Sequence, residues 1–176
     1  MALGFRKVVT ASGIPVFVKI NEVVTGGFAL DKAGLADGVT VKAGTLMVYD
    51  EATRKAKVVK TARVYADATT ATAVKVAKGH LFIVGDKIDN VAINAINTTN
   101  ADYDTFTMAS AVTVAAGDVL ASQSVTDLTT GLLQDEVVVA DNESVTIVIS
   151  GTAFARRIPP VEKSQLPGTI NLSNSK

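Results

Sequence analysis

Short runs of β-branched and aliphatic residues, each closed by Gly, Asp or Asn, recur along nearly the whole of this 176-residue sequence. Candidate strands are Val16–Ile20, Val39–Val41, Thr45–Tyr49, Lys57–Tyr65, Ala73–Val76, Leu81–Val84, Lys87–Ile93, Tyr103–Met108, Ala111–Val114, Glu136–Ala140 and Ser144–Phe154. Such spacing predicts an all-β fold of mainly short antiparallel strands, sandwich or barrel-like, with minimal helix. The 26 Val and 20 Thr suit a pleated surface, where a stiff χ1 costs less than it does in a helix. Helical signals are few. Ala29–Ala36 is too short, and Asp127–Gln134 allows one or two turns with Asp127 as N-cap. Asp50–Lys55 reads as a polar hairpin loop.

Fifteen residues from Tyr65, YADATTATAVKVAKG, have an echo in YDTFTMASAVTVAAG from Tyr103. Tyr65 aligns with Tyr103, Ala73-Val74 with Ala111-Val112, Val76 with Val114, and Gly79 with Gly117. A weaker copy at 39–46, VTVKAGTL, puts Gly44 in the same place. Two readings stand: chance matches in a Val/Ala/Thr-rich chain, or a recurring β-arch. In the second, alternating valines face one way and each Gly supplies the positive φ that turns the chain back. The copies are too few for a solenoid, so two related β units are expected.

The formal net charge is zero, but the charges are segregated. Residues 1–87 carry thirteen Lys/Arg and seven Asp/Glu, a net of +6. From Ile88 to Ala155 there are nine acids and no Lys or Arg, and residues 156–176 add a net of +3. Either folding mingles these charges, or the molecule has a basic foot and an acidic head. The division we draw is a basic β unit over 1–95, an acidic β unit over 96–155, and an extended C-terminal arm over 156–176. That arm holds three of the four prolines, which disfavour a strand. Either it is a disordered tail, or its Ile158, Val161, Leu166, Ile170 and Leu172 let it lie along a partner.

Several chemistries are disfavoured. With no Cys there are no disulfides, zinc-thiolate sites or thiol nucleophiles. Phosphate-backbone binding needs clustered Lys and Arg, so no direct nucleic-acid contact is expected. No membrane contact is expected either, because the longest stretch without a formal charge, Thr105–Gly117, is thirteen residues and a spanning helix needs about 20. Arg6 and Lys7 ahead of Val8–Val18 resemble a signal peptide only superficially. Thr10, Ser12, Gly13 and Pro15 interrupt the patch, which reads as strand-turn-strand in a chain made in the cytoplasm. Gly26-Gly27 lacks the third Gly and the helix of a phosphate loop.

His80, the single histidine, has no nucleophile or orienting acid beside it in sequence and reads as a structural surface residue. Asn100, Asp102 and Asp104 alternate like calcium ligands, but an EF-hand would need Gly at Thr105 and Glu at Ala111. A calcium site completed by Asp141 or Glu143 and a plain solvated strand face both remain. Arg156-Arg157 reads as a salt-bridged or exposed boundary rather than an anion site. No catalytic, cofactor or metal residue is assigned, no cofactor is expected, and the chain is not read as an enzyme.

Three segments carry a family resemblance. Residues 27–65, GFALDKAGLADGVTVKAGTLMVYDEATRKAKVVKTARVY, pass from an apolar strand through a K-A-G-T-L turn and a polar hairpin into another strand, as in capsid-attached proteins of tailed bacteriophages. Val76–Asp86, VAKGHLFIVGD, is similar to the V-K-K-G-H-L-F-x-V-G-D run of phage head fibre proteins. Residues 149–166, ISGTAFARRIPPVEKSQL, resemble their closing segment. The resemblance implies a virion protein on the capsid exterior, a head fibre or head decoration protein, often trimeric, with the major capsid protein as partner. On this expectation 1–95 and the tail face the capsid, 96–150 face outward, and host-surface glycan is a further contact. A carbohydrate- or cell-surface-binding β module is the alternative, since Phe and Tyr can stack on sugars although Trp is absent. A depolymerase is a third candidate that no motif favours.

Overall fold

The computed structural model describes residues 15–24, 27–126 and 128–174. Sixteen strands follow one another. The first eight are β1 (Phe17–Val23), β2 (Phe28–Asp31), β3 (Thr40–Val41), β4 (Leu46–Asp50), β5 (Lys55–Val58), β6 (Thr61–Arg63), β7 (Ala68–Ala77) and β8 (Lys87–Ile88). Then come β9 (Val91–Asn97), β10 (Tyr103–Val114), β11 (Val119–Ala121), β12 (Thr130–Leu133), β13 (Val137–Val138), β14 (Ser144–Val145), β15 (Ile147–Phe154) and β16 (Ile170–Ser173). Strand makes up 51% of the chain and helix about 2%, so the fold is all-β. One 3₁₀ turn, Lys163–Gln165, is the only helical element among the described residues.

The main sheet runs β1-β15-β12-β4-β5-β2-β14. β15 is its organiser. Ile147 and Val148 pair with β12, while Gly151–Phe154 pair in parallel with β16, which takes over the edge where β12 stops. A second sheet runs β7-β10-β9-β8, and two small ladders, β6–β11 and β3–β13, complete the pairing. All pairings but β2–β5 and β15–β16 are antiparallel.

Strand alternation sorts the apolar side chains into three cores. Met47 and Leu133 point to one face of the main sheet, into a core with Phe28, Val41, Val58 and Ile147. Their neighbours Leu46 and Leu132 point to the other face, into a core with Val59, Ile158, Leu166 and Ile170. The third core lies under the second sheet and gathers Val74, Val76, Phe82, Ile93, Phe106 and Leu120. It is built wholly from residues 62–120, whereas both main-sheet cores combine residues before 60 with residues after 130. β9 runs through position 95 and pairs with β10 beyond it, so Ile93 and Phe106 share one core.

Several segments depart from the sequence expectation. Thr130–Leu133, part of the segment that allowed a helical turn, is strand because all four residues are buried between β4 and β15; Asp127 lies outside the described residues. Lys57–Tyr65 and Lys87–Ile93 are each two strands, the latter broken by Asp89 and Asn90 at positive φ. Leu81–Val84 is irregular, and Val119–Ala121 forms a strand that no run announced. The C-terminal arm is not wholly extended: it contains the 3₁₀ turn and β16, and Ile158, Leu166 and Ile170 cover the chain's own main sheet. Burial of those side chains outweighs the prolines. The patch Val8–Gly13, with Arg6 and Lys7, lies outside the described residues, as does Gly26.

The glycine expectation holds in geometry. Gly44, Gly79 and Gly117 have φ of 79°, 87° and 95°. The two echo segments are also partners in space, with β7 and β10 pairing antiparallel from Tyr103↔Ala77 to Val114↔Ala68.

Candidate functional site

Residues 78–86 tie the second sheet to the main body. After the Gly79 turn the chain passes His80 and sends Leu81 against the main-sheet core and Phe82 into the other core. Phe82 meets Phe106 edge-on, with ring centroids 5.5 Å apart. Asp86 then closes the crossing. Its carboxylate accepts from the Ile83 amide at 2.8 Å and from Lys60 Nζ at 2.6 Å. Lys60 also donates to the Gly34 carbonyl at 2.7 Å, and its side chain is only 6% exposed. One ammonium therefore joins three segments.

His80 is not on the surface: its side chain is 7% exposed. The ring packs edge-on against Phe106 at 4.8 Å. Nε2 lies 3.2 Å from Asp104 Oδ2 without hydrogen-bond alignment. Asp104 is itself buried and holds Lys78 Nζ at 2.7 Å. Burial lowers the His80 pKa from its ordinary 6.5, with Asp104 opposing and Lys78 assisting the shift. Between 6.5 and that lowered value the unfolded chain binds a proton that the folded chain does not, so stability falls as pH drops through this window. His80→Gln is expected to flatten that fall. Urea denaturation across pH 5–7 checks it, and parallel profiles for the two proteins would refute it.

The alternating Asn100, Asp102 and Asp104 do not converge. Asn100 Oδ1 accepts from the Asp102 amide at 2.9 Å in a local turn, whereas Asp104 is turned inward to Lys78. Asp141 pairs with Lys32 at 2.6 Å on the main body. Among the described residues, no three carboxylate or imidazole groups are placed to hold one metal ion. Lys32–Asp141 and Lys78–Asp104 do bring the basic and acidic stretches into contact, so folding mingles part of the segregated charge. Arg157 stacks on Phe154 at 4.0 Å and donates to the Pro15 carbonyl at 2.8 Å, while Arg156 is exposed.

A different arrangement lies on the open face of the second sheet. Val64 bridges to Val76 and the Tyr65 amide donates to Lys75 O at 2.9 Å, which sets Tyr65 beside Lys75. Lys75 faces Thr105, and Thr105 faces Asn97. Tyr65, Lys75, Thr105 and Asn97 thus stand abreast, with Tyr103 one same-face step from Thr105. The Tyr65 and Tyr103 rings are 5.1 Å apart and tilted by 37°, and Lys75 Nζ lies 4.9 Å from the Tyr103 ring centre. Tyr65 is 50% exposed. The echo had aligned these two tyrosines without indicating that they touch.

These features define an all-β body pinned by one largely buried ion pair, Lys60–Asp86, with an aromatic and polar sheet face open to solvent. Compared with known proteins, the chain matches no family, no curated protein and no solved structure.

Proposed function

We propose that this chain is a structural protein of a bacteriophage head exterior, a head fibre or capsid decoration protein that reinforces the shell or aids attachment to the host surface. The observation that carries the reading is the use made of Val76–Asp86, one of the three segments that resemble phage head proteins. Its Gly79, Leu81, Phe82 and Asp86 turn, pack and pin the crossing between cores, so the resemblance falls on residues that fix architecture. A body closed on both faces of its main sheet suits a part displayed in many copies, where rigidity and solubility matter. Its partners are the major capsid protein and two further copies of itself, three weak contacts on the shell adding by avidity. Its place is the virion, after synthesis in the host cytoplasm.

Two measurements test this. The purified chain is expected to have a solution mass near three times 18.2 kDa at both about 50 and about 500 mM salt. It is also expected to co-sediment with empty phage heads. Failure to bind heads would overturn the capsid assignment. The second reading, a carbohydrate-binding module, is favoured by the exposed Tyr65 beside Tyr103.

A further inference from the structure

The geometry points to the open face of the second sheet as a binding site for an acidic glycan, with Tyr65 as the stacking surface and Lys75 as the anion contact. This deepens the proposed role, naming the host-surface chemistry such a protein would touch.

A half-exposed tyrosine ring offers an apolar face with a polar tip, the combination that a sugar ring with axial C–H groups and flanking hydroxyls matches. Tyr103 cannot serve alone, because Tyr65 covers it on one side and Lys75 lies over the ring. It acts as the support that fixes Tyr65 and Lys75. The rest of the row supplies polar groups at strand spacing: the Thr105 hydroxyl, and the amide of Asn97, whose Oδ1 is occupied by the Thr99 amide and hydroxyl at 2.9 and 2.7 Å. That leaves the Asn97 NH₂ to donate outward. Farther along β10, Thr107 stands between Ala73 and Ala95, small residues that keep the face flat.

Charge decides between neutral and acidic sugar. In the row formed by Tyr65, Lys75, Thr105 and Asn97 the one ionised group is a cation, held over an aromatic ring rather than by a carboxylate. Its ammonium can still donate to an anion, since a cation–π contact leaves N–H bonds free. A carboxylated sugar satisfies the adjacent pair at one end of the row: its ring on Tyr65, its carboxylate on Lys75. Nucleic acid fits less well, because one lysine supplies too little phosphate neutralisation.

The test uses the whole chain with two probes, a hyaluronan hexasaccharide, which carries glucuronate, and neutral maltohexaose, in saturation-transfer NMR and calorimetry. The hyaluronan fragment is expected to bind and maltohexaose to bind at least about tenfold more weakly. Tyr65→Ala is expected to weaken hyaluronan binding about tenfold, and Lys75→Gln to erase the preference between the two probes. Both substitutions are at solvent-facing positions, and an unchanged unfolding midpoint confirms that the fold is kept. Equal binding of both probes, no binding of either, or hyaluronan binding untouched by Tyr65→Ala would overturn the assignment. Co-sedimentation of Tyr65→Ala with heads separates this from the broader reading: loss of glycan with retained head binding leaves the capsid role standing.

Discussion

Gly44→Ala is expected to cost about 3–4 kcal/mol of folding stability, and Gly79→Ala only about 1–2, although the two glycines occupy equivalent places in the repeated segment. Both have a left-handed φ, at 79° and 87°, so both lose about 1–2 kcal/mol when a Cβ is added. The difference lies in what the Cβ meets. At Gly44 it would overlap the Cγ2 of Ile158, and Val16 stands close behind; at Gly79 there is nothing within 4 Å. Ile158 cannot retreat freely, because it is part of the core under the C-terminal segment. Displacing it adds about 1–3 kcal/mol of overpacking. The measurement is the urea midpoint at unchanged m-value, with a fall in melting temperature of roughly 2–4 °C per kcal/mol for a chain of this size. Equal losses at the two sites would show that backbone conformation alone sets the cost.

Lys60→Ala is expected to destabilise the protein by about 3–5 kcal/mol, more than any surface ion pair here. The Lys60 ammonium is buried between the Asp86 carboxylate and the Gly34 carbonyl, at 2.6 and 2.7 Å. Truncation leaves Asp86, at 17% side-chain exposure, with only the Ile83 amide as a donor. An uncompensated charge in that setting is the costly outcome, not the loss of the pair as such. Lys60→Met combined with Asp86→Leu is therefore expected to recover most of the loss, since neither charge then remains to be desolvated. A double-mutant cycle reads the coupling directly. A single-substitution loss below about 1 kcal/mol would mean that solvent reaches the pair and screens it.

The parts of the fold legible in the sequence are those set by local rules. The short apolar run Thr45–Tyr49 foretold β4, the Asp50–Lys55 loop closes with Asp50 accepting from Ala52 and Thr53 at 2.8 Å, and three glycines sit where a left-handed turn was expected. What escaped depends on partners distant in sequence. Thr130–Leu133 has little to distinguish it from a helical turn until β4 and β15 flank it. His80 is buried chiefly by Phe106, 26 positions later, whose ring packs closer than that of nearby Phe82. Lys60 read as one more cation in a basic stretch, because Asp86 and Gly34 are each 26 residues away. The open sheet face is half legible: the echo singled out both tyrosines, but only the register of β10 against β7 and β9 places Lys75, Thr105 and Asn97 in line.

The nesting of the second sheet's core within the main body sets a timetable for synthesis. Residues 62–120 contain a full set of partners for one another and can condense as soon as they have left the ribosome. The main sheet must wait. Its β1 pairs with β15, over a hundred residues downstream, and the core beneath Leu46 and Leu132 closes only with Ile170. Until then Val59 and Leu132 remain wettable, and high contact order slows the final step. A stalled or shortened chain would therefore hold a finished second-sheet unit joined to an open, adhesive main sheet, so β16 acts as the seal on assembly.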